Sequence, residues 1–62
     1  MFLEILIDTR TGIEKNRKEI TKEEIKEKHI TNNDILSWVG GGIVGSTFSM
    51  TSRGFIYKRL SK

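Results

Sequence analysis

Few side chains in this sequence could carry out covalent or metal chemistry. His29 is the only histidine and cysteine is absent, so thiolate zinc sites and disulfides are both excluded. A lone histidine cannot build a metal cluster, and His29 has neither a nucleophile nor an acid at a spacing that would make it a catalytic base. The acids Glu23, Glu24 and Glu27 fall on a charge-alternating stretch, where Glu24 and Lys28 sit at the i,i+4 spacing of a helical ion pair. The run Gly40-Gly41-Gly42 with Gly45 is not followed by the Lys-Ser/Thr of a phosphate loop and does not fit GxGxxG, so its expected role is to end a helix. No catalytic residue, metal or cofactor is expected, and the reading is non-enzymatic.

Binding chemistry has better candidates. After Asp34 there is no acid, while Arg53, Lys58, Arg59 and Lys62 supply four positive charges, more than the whole net charge of +3. Residues 13–34 hold six acids and six bases and sum to zero. A basic, acid-free segment is an electrostatic footprint for phosphate, although four cations would also keep an apolar hairpin soluble. Asn32, Asn33 and Ser37 are the neutral polar residues of a short helix, and Asn can pair bidentately with an adenine edge. The same asparagines are equally suited to local capping. The expected nucleic-acid-binding set is therefore Asn32, Asn33, Ser37, Arg53, Lys58 and Arg59. The alternative is an inhibitor or adaptor that binds a host protein through Trp38, Phe55 and Tyr57, because aromatic anchors dominate protein interfaces.

These residues need elements to position them. Phe2–Asp8 is apolar apart from Glu4 and the closing Asp8, and it is rich in strand formers; Asp8-Thr9-Arg10-Thr11-Gly12 has turn chemistry. Ile13–Glu19 then returns either as a polar edge strand or as a loop. In Ile20-Thr21-Lys22-Glu23-Glu24-Ile25, Thr21 is a helix N-cap, Glu24 completes a capping box, and Ile20 and Ile25 form a hydrophobic staple. Ile30-Thr31-Asn32-Asn33-Asp34-Ile35 repeats the arrangement ten residues on, with Thr31 as the cap. These signals place helices at Lys22–His29 and Asn32–Val39 with almost no connector. The rest reads as a hairpin: a strand over Ile43–Met50, a turn at Thr51–Gly54 and a strand over Phe55–Leu60. The expected core is Leu3, Ile5, Ile7, Ile25, Ile35, Leu36, Val39, Val44, Phe48 and Ile56.

The expected fold class is α+β: one small domain with an N-terminal strand or hairpin, two short helices and a C-terminal β-hairpin, in winged-helix-like order. The stretch from Thr21 to Trp38 loosely resembles the helix-turn-helix pattern of bacterial repressors, departing from it in having Lys26 after the buried Ile25 and no glycine between His29 and Ile30. The resemblance implies that the second helix reads a groove while Arg53, at the hairpin tip, touches phosphate or enters a minor groove.

Size and composition bound the rest. With 62 residues, 35% of them apolar, the chain can bury only one thin core, which leaves room for a homodimer that covers an apolar sheet face. Ile35–Ser52 is an uncharged run of 18 residues, but its Gly, Ser and Thr content argues against a membrane span and leaves a membrane-active peptide as the remote alternative. The residues with A/T-rich codons (Phe, Tyr, Met, Ile, Asn, Lys) number 25, against ten for Gly, Ala, Arg and Pro, which fits a phage- or plasmid-like gene. The expectation is a cytoplasmic regulator of mobile-element character.

Overall fold

The computed structural model describes residues 1–61 and has the order β1 (Phe2–Ile7), β2 (Glu14–Ile20), α1 (Lys22–Lys28), α2 (Asn33–Gly40), β3 (Thr47–Met50) and β4 (Phe55–Arg59). A 3₁₀ turn over Thr51–Arg53 joins β3 to β4. The fold is α+β, as the sequence implies. The four strands form one antiparallel sheet in the order β2-β1-β4-β3, so the first and last strands pair at its centre. Ile13–Glu19, read as strand or loop, lies in the edge strand β2 apart from Ile13 itself.

Both helices pack on one face of this sheet. Phe2, Ile20 and Tyr57 from the strands meet Ile25 of α1 and Ile35 and Val39 of α2 in a single buried cluster. Burying each of these side chains contributes about 1.5–3 kcal/mol before ordering costs. Helix α1 starts as its sequence dictates: the Thr21 hydroxyl accepts from the Glu24 N–H at 3.1 Å, and Ile20 and Ile25 both enter the cluster. Acidic residues occupy its first turn and lysines its last, the arrangement that suits the helix dipole.

The second cap falls one residue later than the sequence pattern suggests. Asn32, not Thr31, caps α2: its Oδ1 accepts from the N–H groups of Asp34 and Ile35 at 3.1 and 3.2 Å. Residues His29–Asn32 form a connector, tightened by the Asn32 N–H donating to the His29 carbonyl at 2.9 Å. Ile30 is 74% exposed and is no staple for the buried Ile35. A residue at Ncap can hold two orphan amides, and asparagine does so at least as well as threonine.

The strand phase also differs from expectation. Phe2 and Glu4 point to the helices while Leu3 and Ile5 are half-buried on the opposite face; likewise Tyr57 and Arg59 are buried and Ile56 is not. A strand can offer only alternate residues to one face. Here the winning phase carries the larger aromatics, and its two charged residues are long enough to reach partners on the helices. Ile7 is buried outside the cluster, beyond an irregularity in the β1–β2 pairing at Leu6/Ile7. Val44, expected in the core, is 52% exposed, because Ile43–Ser46 form a loop and β3 begins only at Thr47. The winged-helix arrangement is not confirmed: β4 pairs along its length with β1, so the C-terminal hairpin is half of the central sheet and not a projecting wing.

Candidate nucleic-acid interface

The six expected binding residues do not form one surface. Arg53 is exposed at the 3₁₀ turn. Asn33 and Ser37 are exposed one helical turn apart on α2. Asn32 is committed to its cap, with its Nδ2 donating to the Met50 sulfur at 3.7 Å, so it is not free to read a base. Lys58 is exposed, but the alternation of β4 places it on the sheet face away from the helices.

Arg59 is 5% exposed and cannot meet a phosphate. Its guanidinium donates to the Trp38 and Val39 carbonyls at the C-terminal end of α2, and lies 4.7 Å from the Phe2 ring centroid. That end of the helix has no basic residue of its own and closes in Gly40-Gly41-Gly42, so Arg59 supplies the missing positive charge from the sheet. Among the described residues, its Nε is the one buried side-chain nitrogen or oxygen without a partner.

The aromatic anchors of the alternative reading serve the interior. Tyr57 is buried. Trp38 is half-buried, donates from Nε1 to the Ser46 hydroxyl at 3.2 Å, and packs edge-on against Phe2 with centroids 5.4 Å apart. Phe55 lies against His29 at 4.9 Å and Tyr57 at 5.0 Å.

What the fold does bring together is a polar, cationic end of the sheet, assembled from two turns and the start of α2. The β1–β2 turn is fixed by the Asp8 carboxylate accepting from the Arg10 N–H at 2.8 Å and by the Gly12 N–H donating to the Asp8 carbonyl at 2.7 Å. The 3₁₀ turn is tied to it through the Ile7 N–H, which donates to the Gly54 carbonyl at 2.8 Å. Gly54 has φ +89°, and an added Cβ would stand 3.0 Å from the Ile7 carbonyl oxygen, so this approach requires glycine. Between these turns lies an open groove of about 500 Å³ walled by Asp8, Arg10, Lys15 and Arg53. A second groove of about 420 Å³ runs on the other side of Arg53, along Thr31, Asn32, Asn33 and Asp34 at the start of α2. Arg53 is thus shared by both grooves. Sequence reasoning missed Arg10 and Lys15, because only the β1–β4 pairing brings their turn beside the Arg53 turn.

A buried polar network stands beside this end. The Glu4 carboxylate, 2% exposed, accepts from Lys28 Nζ at 2.9 and 3.2 Å and from the Tyr57 hydroxyl at 2.8 Å, and Lys18 Nζ lies 3.9 Å away. His29 Nε2 is 2.9 Å from the same hydroxyl. Since Tyr57 gives its proton to the carboxylate, the ring N–H of His29 donates to the Tyr57 oxygen. Burial alone would raise the Glu4 carboxyl, but the Lys28 and Tyr57 hydrogen bonds with the Lys28 and Lys18 charges together hold it below the ordinary 4.5. Burial, helped by the Lys28 and Arg53 charges against the opposing pull of Glu4, lowers His29 below 6.5. Burial and the Glu4 carboxylate raise the Tyr57 phenol well above its ordinary value. Every member has a structural partner, so the network reads as a strut that fastens α1 to the two central strands.

Among the described residues no three His, Asp or Glu side chains converge as a metal set would, and no helix is long and apolar enough to cross a membrane. No protein family, no curated protein and no solved structure matches this chain.

Proposed function

We propose that the chain is a small, non-enzymatic nucleic-acid-binding regulator that grips the phosphate backbone with the turn end of its sheet. The observation that carries this reading is the position of Arg53, shared by a groove with Arg10 and Lys15 and a groove with Asn33. Three flexible cations around an open groove suit contacts with successive phosphates, which position a ligand without reading its sequence. Asn33 and Ser37, exposed along α2, supply the neutral hydrogen-bonding groups next to that track. Asp8 and Asp34 border the two grooves and oppose phosphate there, so affinity rests on the three cations outweighing them. Lys58 and Arg59 play no part in this surface.

The experiment is fluorescence anisotropy of labelled mixed-sequence DNA, duplex and single-stranded, at about 50 and 200 mM salt. Three phosphate contacts on a duplex would weaken binding about 40-fold between the two. Arg53→Ala, Arg10→Ala and Lys15→Ala should each lower affinity and reduce the salt slope by about one contact. No binding at the lower salt with tens of micromolar protein would sink the reading.

A further inference from the structure

The sheet has two faces, and the helices cover only one. Alternation along β1 and β4 sends Leu3, Ile5 and Ile56 to the other face, where they stay partly exposed at the centre of the sheet. Pairing sets this face in rows across the strands: Glu19, Leu3 and Lys58 form one, and Arg17, Ile5 and Ile56 the next. Each row thus begins with a charge on β2, acidic in one and basic in the other.

This pattern is self-complementary. A two-fold axis lying between two stacked sheets, and crossing the strands midway between the rows, lays the first row of one copy on the second row of the other. Glu19 then meets the second copy's Arg17, and Arg17 meets the second copy's Glu19. Leu3 lies on Ile5, and the aliphatic stem of Lys58 runs over Ile56 with its amine reaching solvent. Arg17 already holds Glu14 at 2.6 Å on an exposed edge, and its remaining donors can serve Glu19 as well. Pairing of copies through strand edges is disfavoured: five of the seven residues of β2 are charged, and β3 has only four residues.

We propose that this open face seats a second copy of the chain, a face-to-face homodimer keyed by reciprocal Glu19–Arg17 pairs. The two copies run antiparallel, so their Arg53 ends point away from each other, and the association is independent of what those ends bind.

Sedimentation equilibrium of the full chain over about 1–500 µM reads the association directly. The expected result is a reversible dimer. Glu19→Arg and Arg17→Glu should each raise its dissociation constant about tenfold, since symmetry loses two pairs and creates two repulsions. The two changes combined in one chain should bring it back to within about threefold of the original. Rescue is the decisive readout, because a loss of folding or of the Glu14 contact would not be reversed by the second change. Ile5→Arg, at the centre of the face and outside the helix-side core, should give a monomer with an unchanged far-ultraviolet circular dichroism spectrum. A monomer throughout the concentration range would overturn the proposal, as would a dimer indifferent to both charge reversals or one that the double change does not restore. A foreign protein on the same face would show as the first of these.

Discussion

The Tyr57 hydroxyl donates a 2.8 Å hydrogen bond to the Glu4 carboxylate directly across the central strand pair. The two residues are 53 apart in sequence, and their bond lies where Lys28 and His29 reach down from the end of α1. Tyr57→Phe keeps the ring packing but removes the hydroxyl, leaving the His29 N–H without its acceptor and Glu4 with only its lysine partners. A partner removed from a buried polar group costs about 1–3 kcal/mol. Urea denaturation should show that loss with an unchanged slope, since the surface exposed on unfolding is the same.

The same network makes the fold sensitive to acid. A group whose folded value is depressed stabilises the fold above its unfolded value and loses that contribution as pH falls through the folded one. His29 is lowered from 6.5, so stability starts to decline as pH drops below about 6.5, where the unfolded chain takes up its proton first. Glu4 is lowered from 4.5, so a second loss follows below that value. Tyr57 is raised from 10.0, which gives the opposite sign: stability is full below pH 10.0 and declines as the unfolded phenol ionises above it. Melting temperatures measured from pH 3 to 11 should show a plateau bounded by these limbs. His29→Gln should remove the upper acid step and leave the lower one.

Much of the fold was legible because its signals are local. The Thr21 cap on the Glu24 N–H, the Asp8–Gly12 turn and the turn before Gly54 each act within five residues, and each sits where the sequence puts it. The Glu24 carboxylate reaches back to the Thr21 hydroxyl and not to its N–H as a full capping box would. The phase of β1 was not legible, because Phe2-Leu3-Glu4-Ile5-Leu6-Ile7 offers apolar residues to both faces. The choice is made by partners far along the chain: Lys28 and Tyr57 for Glu4, and the carbonyls ending α2 for Arg59. The candidate site fared likewise. Arg53 and Asn33 could be singled out by residue type and local pattern, whereas Arg10 and Lys15 join them only through the pairing of β1 with β4.

Two glycines with similar backbones should respond differently to the same substitution. Gly12 has φ +75° with open space around a Cβ, and Gly54 has φ +89° with the Ile7 carbonyl 3.0 Å and the Thr9 methyl 3.3 Å away. Gly12→Ala should cost about 1 kcal/mol, the left-handed penalty alone. Gly54→Ala adds a clash with backbone that cannot yield without opening the Ile7–Gly54 hydrogen bond, so its cost should reach about 2–3 kcal/mol. Thermal denaturation of the two variants side by side measures the difference. Gly54→Ala should also weaken nucleic-acid binding if Arg53 acts as proposed, because the turn that carries it would move relative to Arg10.

Arg53 and Arg59, six residues apart in a segment without acids, should separate binding from stability. Arg53 is exposed and none of its side-chain atoms has a hydrogen-bond partner among the described residues, so Arg53→Ala should leave the melting temperature unchanged and lower nucleic-acid affinity. Arg59 is buried against Phe2 with its guanidinium on two helix-end carbonyls, so Arg59→Ala should cost about 2–3 kcal/mol by leaving those carbonyls and a cavity behind. Arg59→Lys retains the charge but not the planar guanidinium that lies over the Phe2 ring while its Nη2 reaches both carbonyls, and should recover only part of the loss. Once allowance is made for the unfolded fraction, the folded Arg59 variants should bind nucleic acid as the parent does. A charge-count account, in which every C-terminal cation contributes alike, requires equal losses of affinity from both arginines. Anisotropy at one salt concentration, with denaturation curves for each variant, distinguishes the two accounts.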